Sequence, residues 1–452
     1  MIQNAKEYAT TRPPEVSPRE VLEVLGRHML VDGFHLVVDL EKSRGSRVYD
    51  SSTGKWYLDF YTFFASGPVG INHPKMREAS FIDRLLRAAV NKPSNSDAYT
   101  VEMADFVQTL ERLAMPESLQ YLFFVEGGAP AIENALKTAF DWKVRNNFAR
   151  GERAELGSKI IHFRQAFHGR TGYAMSLTNS DPVKTDYYPK FNWPRIDNPK
   201  IDFPLERDLL RVQTAEARAI RQIEEAFSVH GSDIAALIIE PIQGEGGDNH
   251  FRGEFLRELR RICDEHDVLF IVDEVQAGVG LTGKMWSYQH FGFEPDILVF
   301  GKKLQVCGIM VSRKIDQVPD NVFRVSGRIN STWGGNLADM VRGGRYLEII
   351  AEEGLVENAA RRGEVLLVGL RQLGKEFEGK VRNARGKGLM CAIDLDSPDL
   401  RKKVMDRCHE NGLMMLSSGS QGIRFRPALN VTQEEIEEGL SILRRSVAEA
   451  IG

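Results

Sequence analysis

The run VLFIVDEVQ (268–276) and its successor DILVFGKK (296–303) decide how this chain folds. Each is a short, unbroken series of Val, Ile, Leu and Phe that gives way to a charge, Asp273 in the first and Lys302 in the second. Apolar runs of this length without alternation mark strands buried on both faces, as in a parallel sheet covered by helices. Working outward, YLFFVEGG (121–128), KIIHF (159–163) and AALIIEPIQ (235–243) read the same way. Helical patterns separate them. In FRGEFLRELRRICDEHD (251–267), Phe251, Phe255, Leu259, Ile262 and Cys263 recur at helical spacing. In APAIENALKTAFDWK (129–143), Ile132, Leu136, Ala139 and Lys143 share a face, and Glu133 is spaced to pair with Lys137. Alternating strands and helices predict an α/β fold.

At 452 residues the chain is long enough for two or three structural units. A hydrophobic fraction of 42% with 27% charged residues fits a soluble enzyme with a large core. Its 59 basic and 63 acidic residues leave a net charge of −4, so no long-range attraction to nucleic acid or an anionic membrane follows. Cys263, Cys307, Cys391 and Cys408 lie far apart, without a CxxC pair, so neither a disulfide framework nor a metal site is expected. The polar N-terminal residues carry no signal-like apolar stretch, and no run is long enough to span a membrane. The expected location is cytoplasmic.

Residues 1–18 read as an irregular arm, and 47–66 as a hairpin turning at Ser52-Thr53-Gly54. Near the C-terminus, 385–395 and 422–431 read as strands. The stretch 431–450 reads as a last helix with Thr432 and Glu435 forming a capping box. The expected organisation is an N-terminal segment, 1–66, joining a small α+β domain at 341–452, with a large domain at 67–340 between them.

Open parallel sheets bind ligands beyond the carboxyl ends of their strands. Glu240, Asp273 and Lys302 gather at that edge, and a charge directly after a buried run needs a partner or a ligand. The first strand leads through Glu126-Gly127-Gly128-Ala129 into a helix. Small residues before free helix-terminal N–H groups suit a phosphate, although a plain tight turn has the same composition. Asp273 and Lys302, on successive strands, match what pyridoxal 5′-phosphate (PLP) requires. The lysine forms a Schiff base, and the acid keeps the pyridine nitrogen protonated. The spacing alone also fits an Asp–Lys ion pair.

Several motifs in order settle that choice: Glu126-Gly127-Gly128-Ala129 with Glu133-Asn134, Phe167-His168-Gly169-Arg170, Glu240 through Gly247 (EPIQGEGG), Asp273-Glu274-Val275-Gln276, and Gly301-Lys302. With them the chain resembles the class III (subgroup II) aminotransferases of PLP-dependent fold type I. The Gly127-Gly128-Ala129 turn departs from the Ser-Gly-Thr form common in that family. The resemblance implies a large domain with a mainly parallel seven-stranded sheet flanked by helices, plus a small α+β domain. It implies PLP held by the backbone of Gly128 and Ala129, by Phe167 stacked on the ring, by Asp273 at the pyridine nitrogen and by Gln276 at the ring hydroxyl. Lys302 carries the Schiff base and moves the proton, and its neighbour Lys303 is the competitor. Thr332 serves the phosphate of a neighbouring subunit, which makes a homodimer with shared active sites. Arg170 holds the carboxylate remote from the reacting amine, and Arg424, with Arg426 as decoy, grips the α-carboxylate of 2-oxoglutarate. Glu245 covers Arg424 while the donor is bound, Asn330 orients the substrate, and Glu240 supports the local network.

Within the family, AFDWK (139–143), SLTNS (176–180), GKKLQVCG (301–308) and NSTWGGN (330–336) resemble members that take the ε-amino group of L-lysine. The implied reaction passes that group to 2-oxoglutarate. It gives L-glutamate and (S)-2-amino-6-oxohexanoate (allysine), which cyclises to piperideine-6-carboxylate. The rival donors are ornithine, acetylornithine and 4-aminobutyrate, since one methylene is worth only about 1–3 kcal/mol. A nicotinamide-dependent oxidoreductase would need a GxGxxG after the first strand, which is absent. A cofactor-free binding protein would lack the yellow colour of PLP.

Overall fold

Strands buried on both faces form the centre of the molecule, as their unbroken apolar sequences require. The computed structural model describes residues 16–452, so the arm expected at 1–18 falls outside it except for its last three residues. In chain order the first strands are β1 (Arg47–Asp50), β2 (Lys55–Asp59), β3 (Leu119–Val125), β4 (Lys159–Phe163), β5 (Arg195–Ile196) and β6 (Ile234–Ile239). Next come β7 (Ile242–Gln243), β8 (Asn249–His250), β9 (Leu269–Asp273), β10 (Ile297–Phe300) and β11 (Cys307–Ser312). The chain finishes with β12 (Val381–Lys387), β13 (Met390–Leu395), β14 (Leu413–Met414), β15 (Leu416–Ser418) and β16 (Gly422–Phe425).

A seven-stranded sheet has the order β3-β11-β10-β9-β6-β4-β5. Its pairings are parallel except at β11, which runs antiparallel to both β10 and β3. Every residue of β6, β9 and β10 is buried. The five apolar runs read from the sequence all lie in this sheet. The reading missed β5 and β11. The first has only two residues, and the second follows Lys302 after a short turn and begins with Cys307-Gly308.

The helix Gly128–Ala149 buries Ile132, Leu136, Ala139 and Lys143 against the sheet, and the Lys143 ammonium donates to Asp267 O at 2.7 Å. Glu133 does not pair with Lys137. It accepts a hydrogen bond from Thr171 Oγ1 at 2.8 Å instead, because the next loop crosses that helix face. The helix Gly253–Glu265 buries Phe255, Leu259, Ile262 and Cys263.

The hairpin expected over 47–66 forms but ends at Asp59, and β14 adds to it in parallel, pairing Leu413 with Leu58. The first hairpin thus shares a three-stranded sheet with the C-terminal part. A second sheet there has the order β12-β13-β16-β15. Two expectations need correction. The stretch 385–395 is not one strand: it holds the end of β12, a reversal at Gly388 with φ 52°, and the whole of β13. The strand expected over 422–431 ends at Phe425, since Pro427 offers no N–H to a ladder. The final helix, Gln433–Ile451, begins with the Thr432–Glu435 capping box.

Arg385 joins this C-terminal sheet to the loop between β7 and β8. Its buried guanidinium donates to the carbonyls of Asp248 at 2.9 Å and Gly247 at 2.6 Å, and to Asp394 Oδ1 at 2.8 Å. Arg385→Ala should lower the thermal midpoint and cost about 3 kcal/mol, because it takes one donor from a partly buried carboxylate and leaves two carbonyls without theirs. Equilibrium denaturation checks this. A loss indistinguishable from that of Arg382→Ala, an exposed neighbour, would show that Arg385 clamps nothing.

Candidate active site

The carboxyl ends of β6, β9 and β10 carry Glu240, Asp273 and Lys302 into one buried region. After β10 the chain turns back sharply into β11. Lys302 takes φ 44° and Gln305 φ 66°, both in the left-handed region that side chains resist. This bend sends adjacent lysines to different places. Lys303 turns inward, is buried, and donates to Gln276 O at 2.9 Å. Lys302 Nζ reaches Phe64 O at 3.1 Å. Burial, then the positive charges of Arg424 and Arg426, lower the Lys302 pKa to about 8.

Phe64 belongs to a second strained turn. Thr62, Phe63, Phe64 and Ala65 have φ of 41°, 52°, 59° and 67°, a full left-handed turn without glycine. Each such residue costs about 1–2 kcal/mol. The turn is fixed from both sides. Asp59 Oδ1 accepts from the N–H groups of Tyr61 and Thr62, both at 2.8 Å, and Thr62 Oγ1 donates to Arg426 O at 2.6 Å.

Asp273 is buried. Its Oδ1 accepts from Val275 N at 3.0 Å and its Oδ2 lies 2.8 Å from His168 Nδ1. His168 Nε2 is buried and has no hydrogen-bond partner. The backbone of His168 is fixed by Thr178 Oγ1 at 2.9 Å. Glu240 accepts from Phe167 N and Gly244 N, each at 3.0 Å. Burial, opposed by His168 and helped by Asp273, pushes the Glu240 carboxyl up to about 7. Glu240 therefore ties the Phe167 loop to the Glu245 loop.

Gln276 and the arginines form the next layer. Gln276 Oε1 accepts from Arg424 Nη1 at 3.1 Å and from Arg426 Nη2 at 3.2 Å. A Cβ at Gly244 would lie 2.2 Å from that oxygen, so only glycine leaves room for it. Arg424, nearly buried on β16, donates from Nη2 to Glu245 Oε2 at 2.8 Å. Glu245 Oε1 in turn pairs with Lys184 Nζ. Burial works to raise the Glu245 pKa, but Arg424 and Lys184 outweigh it and hold the carboxyl below its usual range. Arg426 is fully buried and pairs with Asp248, so it is committed to the fold.

The turn Gly127-Gly128-Ala129 opens the helix Gly128–Ala149, and no side chain caps it. A Cβ on Gly128 would lie 3.3 Å from Val275 Cγ1, which places this turn beside the end of β9. Phe167 is half-buried near the same end, with Lys184 Nζ 5.6 Å and the exposed Arg170 6.0 Å from its ring centre. Thr332 and Asn330 are exposed. Their loop is held by Ser94 Oγ, which donates to Thr332 O at 2.6 Å.

The arrangement suits PLP on three counts. An uncapped helix N-terminus lies beside the end of β9, that strand ends in a buried carboxylate, and an amine of lowered pKa stands close enough to feel its charge. Sequence reasoning missed His168, Phe64 O and Lys184. His168 adjoins Phe167 in a quoted motif and could have been found there. Lys184 sits on the single turn Pro182–Lys184, where no local pattern marks it.

A family model for aminotransferase class III matches residues 30–447. The L-lysine-epsilon aminotransferase of Amycolatopsis lactamdurans is 49% identical over 438 residues, covering 96% of this chain and 97% of that protein. A mitochondrial 4-aminobutyrate aminotransferase of Mus musculus is 30% identical over 460 residues, covering 97% of this chain and 90% of its own. The solved lysine aminotransferase from M. tuberculosis, in the internal aldimine form, superposes with a TM-score of 0.94 at 49% identity. It covers 96% of this chain and 100% of its own.

Only a neutral amine attacks an aldehyde. In protein freed of cofactor, reaction of Lys302 with an aromatic aldehyde should therefore speed up with rising pH to a midpoint near its pKa of about 8. Lys302→Ala should abolish it. A midpoint near the ordinary 10.5, or reaction that persists in Lys302→Ala, would assign the reactive amine elsewhere, Lys303 first.

Proposed function

This chain belongs to the class III aminotransferases, whose cofactor is PLP, and from that premise we propose that it transfers the ε-amino group of L-lysine to 2-oxoglutarate. The products are (S)-2-amino-6-oxohexanoate, which cyclises to piperideine-6-carboxylate, and L-glutamate. The observation that carries this reading is the Glu245–Arg424 pair at 2.8 Å. An arginine shaped for an α-carboxylate is closed by the protein's own carboxylate. That state fits an amino donor whose reacting end bears no carboxylate. The 49% identity to proteins named for lysine favours lysine over 4-aminobutyrate, whose enzyme stands at 30%.

PLP supplies an aldehyde that condenses with amines and a ring that accepts the electron pair left on carbon when a proton departs. The chain's residues supply the rest. Gly128 and Ala129 N–H groups would bind the phosphate at the helix N-terminus. Phe167 would pack on the ring, and Gln276 would contact its hydroxyl. Asp273, kept in place by His168 and Val275 N, would face the pyridine nitrogen and keep a proton there. Lys302 Nζ carries the condensing amine and then moves the proton at the substrate carbon. Its pKa of about 8 lets it both take and return a proton near neutral pH. Arg170, exposed at the rim beside Phe167, holds the carboxylate remote from the reacting amine. Arg424 takes the α-carboxylate of 2-oxoglutarate after Glu245 moves aside.

The working unit is a homodimer in this reading. Thr332 and Asn330 are exposed, which suits service to the neighbouring subunit's site. Among the described residues no helix is long and apolar enough to cross a membrane. Four free cysteines favour the cytoplasm.

L-lysine should bleach the yellow holoenzyme, and 2-oxoglutarate should restore the colour. If ornithine or 4-aminobutyrate bleaches it and lysine does not, the donor is wrong. Glu245→Ala should slow the lysine half-reaction by about tenfold or more, since Arg424 would then stand unpaired in a buried site, and should spare the 2-oxoglutarate half. Single-turnover absorbance separates the halves, and equal losses would reject the closing role of Glu245.

A further inference from the structure

We propose that Lys184 is the second station of the Glu245 carboxylate, holding it when it leaves Arg424 so that a dicarboxylate can enter. The proposal rests on the reading that Arg424 receives 2-oxoglutarate. It makes Lys184 a positioning residue for acceptor binding.

One carboxylate stands between two cations. Glu245 Oε2 accepts from Arg424 Nη2 at 2.8 Å while Oε1 pairs with Lys184 Nζ. Of the two cations, Arg424 cannot follow a moving partner. It lies on β16 between β13 and β15, paired with Ala392 and Leu416, and its Nη1 is tied to Gln276. The Glu245 backbone is equally fixed. Its carbonyl accepts from Gly419 N at 3.1 Å, and the preceding Gly244 is held through its N–H by Glu240 at 3.0 Å and through its carbonyl by Ser418 Oγ at 2.9 Å. The exchange must therefore be a rotation of the Glu245 side chain.

A carboxylate turning away from Arg424 in this largely enclosed place needs another cation. Lys184 is already bonded to its other oxygen. Its side chain is only 17% exposed, so it does not swing freely in water. Charge balance points the same way. Lys184, Arg424 and Glu245 together carry one net positive charge, and an arriving carboxylate makes two cations face two anions. Without Lys184 the closed group is neutral, and the same arrival leaves an uncompensated negative charge.

The test uses Lys184→Met and Lys184→Arg holoenzymes. Enzyme loaded with pyridoxamine 5′-phosphate is titrated with glutarate, an unreactive dicarboxylate, and mixed with 2-oxoglutarate in single turnovers. Enzyme loaded with PLP is mixed with L-lysine. Lys184→Met should weaken glutarate binding and raise the apparent KM for 2-oxoglutarate by about tenfold, with the limiting rate nearly unchanged. Lys184→Arg should recover most of the loss, and the lysine half-reaction should stay within about twofold of the parent. Unchanged or tighter glutarate binding overturns the proposal. Equal losses in both halves also overturn it, because they would mean that Lys184 touches the donor directly. Arg424→Gln distinguishes the underlying reading. If it leaves glutarate binding intact, the assignment of Arg424 fails. If it abolishes binding while Lys184→Met does not, only Lys184 fails. These arms do not depend on which amine is the natural donor.

Discussion

Asp273 ends a strand in which every residue is buried, and it meets His168 at 2.8 Å. A carboxylate so placed cannot rely on water, so its surroundings must hold it. The same constraint governs Glu240 after β6 and Lys302 after β10. Glu240 meets it by accepting two backbone N–H groups at 3.0 Å from two different loops. Lys302 meets it with a carbonyl and a pKa lowered to about 8. Parallel strands buried on both faces thus deliver charges to one edge, and the contacts around that edge follow from the need to satisfy them.

Satisfying them requires backbone that side chains resist. Lys302 at φ 44° and the left-handed turn Thr62–Ala65 are sparsely populated conformations, and Lys302 Nζ bonded to Phe64 O joins them. Such strain persists only where neighbours over-determine it. Here Asp59 holds the entry of the turn, and the Arg426 carbonyl holds Thr62. Arg426 is therefore more than a spare cation. Fully buried against Asp248, it anchors the Glu245 loop with its side chain and the strained turn with its carbonyl.

The cations near the site divide by partner. Arg426 and Lys303 are committed to the fold, one to a buried carboxylate and one to the Gln276 carbonyl. Arg424 and Lys184 share a single carboxylate, an arrangement able to exchange one anion for another. Lys302 alone combines a lowered pKa of about 8 with a position beside Asp273 and the glycine turn. Residues two apart on one strand, Arg424 and Arg426, thus differ in purpose only through what lies opposite each.

Much of this was legible in the sequence, because it depends on local pattern. Unbroken apolar runs marked five strands of the central sheet, and helical periodicity marked the helices between them. The charges after those runs marked Glu240, Asp273 and Lys302, and the glycine turn marked the head of the helix Gly128–Ala149. Boundaries that depend on partners were less legible. β11 was missed because its antiparallel place is set by β3 and β10, and 385–395 proved to be two strand segments joined by a reversal rather than one strand. Glu133 took Thr171 rather than Lys137, because a loop distant in sequence arrives at that face. Only the tertiary structure decided that Lys302 and Lys303 part company, that His168 supports Asp273, and that Lys184 stands behind Glu245. The physical reason is the same in each case. A hydrophobic pattern fixes which residues leave water, but a polar side chain is defined by the partner it meets, and those partners come from segments far apart in the chain.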